Sequence, residues 1–404
     1  MTIFYLIFIC LTIYFSIRYD GIEEYDQHKQ HRLWLMCGYL ICLSGFSYGL
    51  GADKFAYMQY YEEYPSSFAG SGDYIWIEFM LRGHMPFWTM LNIFVKSVFG
   101  SFYVLQFIVS IVINIAVCFV VSKYTHRYFM FLLVYFLTLQ YFIFNTEVMR
   151  ESIAQAFVLI GMYGWLNGKK WLYIASIPLA VSFHPSALTV LIFPLMKFRV
   201  SRNTIIYGVI LAFLVWLLSD VLLGKVMLSV AGSQGALVQK ILFYSIKASN
   251  IFGFIRSLFT YLVFPCIIMY TIVEYEEDSE MKKQKSQMLT FAFVLGIIAC
   301  SFTGFVRIYN YTRIFYLIML GDFVYTLFKQ REHLIIRIST LAGTIFVTGL
   351  LYMTYYKTTN TRFYDFFYPY TCILNEDKSV FIREIAHNEA VFVEEEDDNV
   401  RDIK

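Results

Sequence analysis

Three arginines of this chain lie at or near the beginning of apolar stretches that predict helices, so that a permanent positive charge lies close to the backbone of a predicted helix. Arg150, in NTEVMRES, is followed at once by the apolar run IAQAFVLIG, and Arg307 and Arg313 lie six residues apart in VRIYNYTRIFY. A cation at a helix N-terminus opposes the helix dipole unless an anion is bound there. Because a guanidinium matches phosphate oxygens with a planar fork of donors, the pattern predicts a site for a phosphate or pyrophosphate group.

Each of these arginines also has a simpler interpretation. Arg150 lies three residues after Glu147 and could pair with it along a helix. Arg307 or Arg313 could each extend its head group to a membrane interface. Residues six apart do not face one side of a single helix, so we expect both to reach one anion only if the helix begins near Tyr311.

Two further side chains could move a proton. Asp53 follows Gly49 and Gly51 in YGLGADKFAY, and a helix that starts there puts Asp53 and Tyr57 on one face. The alternative for Asp53 is a helix N-cap. His184, in VSFHPSAL, is suited to general base catalysis, and its alternative is a capping or interfacial residue. The sequence leaves open which of the two is the base.

Nothing in these motifs indicates a metal or a cofactor. No acidic pair of the DxD type lies beside the arginines to hold a divalent cation. The arginines would therefore have to stabilise a leaving anion themselves, and we expect metal-independent chemistry with no cofactor. The seven cysteines form no C-x-x-C pair and six lie in apolar stretches, which is typical of small buried side chains.

The composition identifies the elements that must position these residues. The 404-residue chain is 58% hydrophobic and 15% charged, whereas a soluble chain carries about a quarter charged residues. The apolar residues come in blocks of about 15–20, the length of a membrane-spanning helix. The 33 tyrosines cluster near the ends of these blocks, as in aromatic belts at membrane interfaces. The net charge of +2 and the lack of a basic run exclude nucleic acid as an expected partner.

These features predict an all-α, polytopic integral membrane protein with about 12 transmembrane helices. The first stretch, 3–17, lacks a basic n-region and a cleavage site, so it is interpreted as a span and not as a signal peptide. The hairpin 171–197 is the weakest part of the count, and 85–100 is expected to be an interfacial or re-entrant helix. The predicted spans are 3–17, 33–50, 102–121, 128–144, 151–166, 171–184, 186–197, 203–222, 253–273, 288–305, 312–328 and 335–353.

The distribution of lysine and arginine predicts the orientation. With the N-terminus outside, six short inner connections carry 16 Lys and Arg, and the longer outer segments before the tail carry ten. Both termini are then outside. Residues 1–356 form the membrane domain, with outer loops 51–101 and 223–252 that contain interfacial helices. Residues 357–404 form a polar outer tail with an end expected to be disordered. This topology places Asp53, Arg150, His184, Arg307 and Arg313 on one outer face.

At these residues the chain resembles the EpsG family of polysaccharide-biosynthesis membrane proteins, which is related to Wzy-type polymerases. The matching stretches are GADKFAY, NTEVMRESIAQAFVLIG followed by GKKWLYIASIPLAVSFHPSAL, and VRIYNYTRIFYL. The most specific element is N-x-x-x-x-R-x-x-I-A with a histidine 34 residues after the arginine, and the likeness extends over about residues 3–356.

The resemblance implies a fold like that of the C-type glycosyltransferases and assigns the site by position. Asp53, Arg150 and His184 are its expected catalytic residues. The chain departs from the family at Ser47, where relatives often carry an arginine before the G-x-D element. If that arginine binds phosphate in the relatives, its role is lost in this chain or is taken by Arg313 or Arg82. Residues expected to bind pyrophosphate or glycan are Arg150, Arg307, Arg313, Tyr57, Asn145 and Arg82.

The function implied is polymerisation of oligosaccharide repeat units carried on polyprenyl pyrophosphate, at the outer face of the bacterial cytoplasmic membrane. Expected partners are the lipid-linked donor and acceptor, membrane lipid, and a flippase and a chain-length regulator. Two alternatives are a flippase for lipid-linked sugars and a membrane O-acyltransferase. The span interiors carry almost no charge, which disfavours a flippase, and the outer position of His184 disfavours an acyltransferase with a cytoplasmic donor. The sequence does not identify the sugars, the linkage, the stereochemical outcome or the oligomeric state.

Overall fold

A computed structural model describes residues 3–51, 53–219, 251–302, 305–329 and 367–374, with a few single positions between 342 and 349. This part of the chain is helical and contains one isolated β-bridge, between Ser47 and Cys372, but no named strand. The all-helical prediction is therefore confirmed for the described residues.

Fourteen helices and one 3-10 helix form the helical part of the described chain, and two of the fourteen contain π-helical segments, Ile143–Glu147 and Leu258–Val263. Several begin at residues that favour a helix start. Asp26 and Asp278 each accept backbone N–H bonds at an N-cap, and Pro86 occupies the first turn of its helix. The α-helices are α1 (Ile3–Tyr19), α2 (Gln27–Gly45), α3 (Asp53–Glu63), α4 (Gly72–Arg82), α5 (Pro86–Phe99), α6 (Phe102–Tyr124), α7 (Tyr128–Leu137), α8 (Gln140–Glu147), α9 (Met149–Leu166), α10 (Lys170–Phe183), α11 (Arg202–Leu217), α12 (Ile251–Tyr275), α13 (Ser279–Ser301) and α14 (Val306–Lys329), and the 3-10 helix is Pro185–Leu195.

Two of the described helices, α6 and α12, are long and apolar enough to cross a membrane by themselves. A third span is possible if α7 and α8 count as one, although the two meet at an angle of 80°. Shorter apolar helices are α1, α10, α11 and the 3-10 helix. The predicted count of about 12 spans is therefore not confirmed. The predicted loop 223–252, apart from its last two residues, and most of the span 335–353 lie outside the described residues.

The outward faces of these helices are apolar. On α11, Ile206, Ile210, Leu214 and Leu217 follow the i, i+4 or i+3 spacing of one helix face, and about half of each side chain is exposed. A stripe of this kind in water would form a large hydrophobic patch. It is the surface expected where a helix contacts lipid.

The core places the N-terminal ends of α9 and α14 together. Helix α9 packs along α10 and α6, and α13 packs along α14 and α11. Gly321 of α14 lies against the backbone of Phe131, and Gly164 of α9 lies against Leu172. Because a larger side chain would meet these atoms, small residues let the helices approach closely.

The predicted outer loop 51–101 is folded as helices α3, α4 and α5. The expected helix at 85–100 is present as α5. It packs against α3 and α6 through a second apolar cluster that includes Tyr57, Trp88, Phe102 and Met149. This cluster attaches the loop to the N-terminus of α9 and fixes the position of Asp53.

Part of the predicted tail is attached to the membrane domain. The backbone of Thr371 accepts a hydrogen bond from the Tyr48 amide (3.0 Å), and the Tyr370 hydroxyl donates to Leu43 O (3.0 Å). Tyr5 of α1 donates to Phe367 O (2.9 Å). Residues 367–374 therefore pack on the end of α2, just before the G-x-D element.

Candidate functional site at the start of helices α9 and α14

Helix α9 begins at Met149 without a side-chain cap, and Arg150 and Glu151 occupy its first turn. The Arg150 guanidinium lies over the Tyr57 ring, with 5.9 Å from its Cζ to the ring centroid. Its Nε is buried and makes no hydrogen bond within the described chain. The helix start, the cation and the unused donor are the arrangement expected of an anion site.

Helix α3 brings Asp53 to this arginine. The Glu147 carboxylate accepts a hydrogen bond from the Asp53 amide (3.0 Å), so it caps α3, whereas the sequence offered it as a partner of Arg150. The described part of α3 begins at Asp53, which lies in its first turn. Asp53 and Tyr57 both lie within electrostatic range of Arg150.

A close approach of two backbones holds this arrangement. Gly51 has a φ of +98°, and a Cβ at this position would lie 2.7 Å from Thr146 Cβ and Oγ1. Glycine is required here both by the positive φ and by the contact. The G-x-D element is therefore packed directly on the turn that precedes α9.

Helix α14 supplies the other two arginines. It begins at Val306, so the helix start near Tyr311, the condition under which both arginines were expected to reach one anion, is not met. Arg307 and Arg313 lie three residues before and after Asn310 on the same helix. The Arg313 guanidinium contacts the rings of Tyr261 (5.6 Å) and Tyr309 (5.5 Å), and its Nε is buried without a hydrogen bond in the described chain.

Glu151 connects α9 to α14, and the sequence reasoning missed it. Its Oε1 accepts a hydrogen bond from Asn310 Nδ2 (2.7 Å), and only 1% of the residue is exposed. Arg150, Arg307 and Arg313 all lie within electrostatic range of its carboxylate. An acidic residue in the first helical turn is usually explained by the helix dipole, so its position alone did not indicate this role.

His184 is linked to the same cluster through hydroxyl groups. It ends α10 and precedes the 3-10 helix, and its Nδ1 lies 2.5 Å from Ser186 Oγ. Ser186 Oγ lies 2.9 Å from the Tyr311 hydroxyl, on α14. Ser186 and Tyr311 thereby hold the imidazole at the end of the bundle that carries Arg307. Ser186 was also missed, because a serine two residues after a histidine gives little signal by itself.

Lys54 is a third residue that the sequence reasoning did not select. Its side chain is fully buried between α3, α6 and α9, and its Nζ donates to Gln106 Oε1 (2.7 Å). Burial lowers the pKa of this lysine to about 7, and the Glu147 carboxylate opposes the shift. Gln106 Nε2 in turn donates to the backbone oxygen of Ser47 (2.9 Å). A lysine is thus connected through one amide to the position where relatives often have arginine.

The structure places the last two predicted site residues, Asn145 and Arg82, in contacts with other protein groups. Asn145 is 1% exposed; its Oδ1 accepts from Asn114 Nδ2 (2.8 Å) and its Nδ2 donates to Tyr141 O (2.8 Å). It therefore braces the turn before α9. Arg82 is paired on the outer segment with Glu63 (2.6 Å) and Glu78 (3.1 Å).

This arrangement can bind an anion and move a proton beside it. Arg150 and Arg307 lie in the first turns of two helices, Arg313 lies two turns into the second, and a carboxylate and an imidazole lie at the same end of the bundle. In the described ranges no three of His, Cys, Asp and Glu are grouped as a metal site requires.

The comparison with known proteins agrees with the motifs that define this site. The EpsG family model matches residues 32–372. The match begins after the expected start near residue 3, extends past the expected limit at residue 356 and includes residues 367–372 of the segment that packs on α2. No curated protein and no solved structure matches the chain. Because the family model covers most of the sequence, including all the residues of the site, the chain belongs to the EpsG family and is a membrane protein of polysaccharide biosynthesis.

Proposed function

We propose that this protein is a polymerase that joins oligosaccharide repeat units carried on polyprenyl pyrophosphate. The observation that supports it most is that Arg150, Arg307 and Arg313 all lie within electrostatic range of one carboxylate, Glu151, with Arg150 and Arg307 in the first turns of α9 and α14. Helix N-termini and arginine forks both favour a pyrophosphate, and here they come together at the end of a membrane bundle. The site would face the outside of the bacterial cytoplasmic membrane, where the lysine and arginine distribution puts it.

The reaction is a glycosyl transfer between two lipid-linked chains. A hydroxyl at the non-reducing end of the acceptor attacks the anomeric carbon of the donor, and a new C–O bond forms. The bond from that carbon to the pyrophosphate oxygen breaks, and the electron pair leaves with the polyprenyl pyrophosphate. Asp53 or His184 takes the hydroxyl proton.

The arginines lower the barrier because charge develops on the leaving pyrophosphate. Arg150 and Arg313 each keep a buried Nε–H without an acceptor in the described chain, so donors are already in place. Donors that are oriented in a water-poor site need no reorganisation during the reaction. Removing one such donor typically lowers the rate by about 10²–10³-fold.

The test uses purified protein with lipid-linked repeat units and compares Arg150→Ala, Arg150→Lys and His184→Ala. We expect little or no chain lengthening with the alanine variants and partial activity with lysine, which keeps the charge without the fork. The control is Arg199→Ala, since Arg199 is exposed and pairs with Glu274 at the other end of the bundle. Relocation of the lipid without lengthening would indicate a flippase, and acylated product would indicate an acyltransferase. Full lengthening by folded Arg150→Ala protein would overturn the proposal.

A further inference from the structure

Glu151 is a buried carboxyl group within electrostatic range of three arginines, and the proposed reaction gives it no step. Its Oε1 is engaged by Asn310, whereas its Oε2 is buried and accepts no hydrogen bond within the described chain. An unpaired carboxylate oxygen at this depth costs free energy. Arg150, Arg307 and Arg313 all attract the carboxylate and so reduce this cost, although burial remains the larger effect.

The position of Asn310 explains how all three arginines reach one carboxylate. Arg307 and Arg313 lie one helical turn on either side of Asn310, and Asn310 is the residue that bonds Glu151. Arg150 is the chain neighbour of Glu151. An anion that binds these arginines therefore enters next to a negative charge that already occupies the middle of the group.

We propose that Glu151 is a built-in counter-ion that competes with the pyrophosphate for the three arginines and so limits how tightly the site holds it. This inference rests on the proposed function. In the free protein the carboxylate keeps the arginines close together and prevents their mutual repulsion. After transfer, its repulsion of the polyprenyl pyrophosphate favours release, which a polymerase must achieve in every cycle.

Substitution of Glu151 by glutamine separates charge from structure. Glutamine has the same shape and its Oε1 can still accept from Asn310, so the α9–α14 contact is kept. Because the repulsion between two unit charges a few ångströms apart is several times RT at an effective dielectric constant of about 20, we expect pyrophosphate to bind roughly 10- to 100-fold more tightly. An arginine variant must change affinity in the opposite direction.

The experiment measures binding of inorganic pyrophosphate to the purified full-length chain by calorimetry. The variants are Glu151→Gln, Glu151→Asp and Arg150→Met, and the control is Glu62→Gln, an exposed carboxylate on α3. We expect tighter binding only with Glu151→Gln, near wild-type binding with Glu151→Asp and the control, and loss of binding with Arg150→Met. A second measurement is inhibition of chain lengthening by polyprenyl pyrophosphate, which must strengthen in Glu151→Gln.

The outcomes distinguish this inference from the proposed function. If Arg150→Met loses binding but Glu151→Gln binds pyrophosphate no better than the wild type, the anion site stands and the counter-ion role is refuted. If the wild type and Glu151→Gln both fail to bind pyrophosphate, the anion site itself is refuted, and the proposed function fails with it.

Discussion

Replacement of Lys54 by methionine is expected to stabilise the protein at neutral pH. A lysine in water has a pKa of 10.5, and burial lowers the pKa of Lys54 to about 7. Folding at pH 7 therefore requires partial loss of a proton and costs about 4 kcal/mol. Methionine fills similar space without this cost but loses the bond to Gln106, worth about 1.5–3 kcal/mol. The net gain at pH 7 is therefore about 1–2.5 kcal/mol.

The sign of this difference must change with pH. The unfolded chain holds the Lys54 proton up to its pKa of 10.5, and the folded chain releases it near pH 7. Since the unfolded state binds more protons between these values, the stability of the wild type rises with pH across this range. Above it the desolvation cost is gone, while the hydrogen bond remains. The methionine variant should thus be more stable at pH 7 and less stable near pH 10.

Thermal unfolding of detergent-solubilised protein between pH 7 and 10 tests this reasoning. Comparing each variant with the wild type at every pH removes the titration of other groups. The control is Lys96→Met, on neighbouring α5, because Lys96 is only partly buried and its Nζ bonds backbone oxygens of α3. A constant difference between Lys54→Met and wild type over the whole pH range would refute the argument.

Three further predictions follow from contacts of the site. Gly51→Ala should lower the unfolding midpoint more than Gly70→Ala does, because an alanine Cβ at position 51 would collide with Thr146. Gly70 also has a positive φ but has no neighbour within 4 Å of a Cβ, so equal shifts would show that backbone strain alone matters. Ser186→Ala should lower kcat about tenfold and alter its pH profile, since the link from the imidazole to Tyr311 is lost; an unchanged pH profile in the lengthening assay contradicts this. Asn145→Leu should cost about 1–3 kcal/mol in unfolding without weakening pyrophosphate binding, since its amide bonds only protein groups among the contacts described; loss of calorimetric binding by folded variant would restore its predicted part in the substrate site.

The sequence predicted helix type and several site residues because both depend on local patterns. Apolar blocks predict helices wherever they occur, and the change from polar residues around Arg150 to the apolar run after it is visible within a few residues. The bend after α7 has no such signal. It occurs at Leu139, which adopts a φ of 59° although neither glycine nor proline is nearby. Tertiary packing decides this bend, so the sequence pattern predicted one straight span at 128–144.

The residues that were missed depend on partners far along the chain. Lys54 bonds Gln106, 52 residues away, and Glu151 bonds Asn310, 159 residues away. A lysine after an aspartate, or a glutamate after an arginine, is ordinary in a polar loop. What makes each unusual is complete burial, and burial is set by the packing of α3, α9 and α14. Hydropathy averages over a window and does not detect one charged residue among apolar neighbours.

Three tyrosines have a part in the site that composition did not predict. The number of tyrosines suggested belts at membrane interfaces and gave no sign that Tyr57, Tyr261 and Tyr309 lie against the guanidinium groups of Arg150 and Arg313. An aromatic face attracts a cation without using its in-plane N–H donors. The tyrosines hold two arginines in place, and the Nε–H groups of Arg150 and Arg313 remain without an acceptor in the described chain. Carboxylates in the same positions would hold the arginines more strongly, but they would occupy those donors and repel the phosphate. The aromatic contacts and the carboxylate of Glu151 together give a site that is fixed in shape yet retains positive charge.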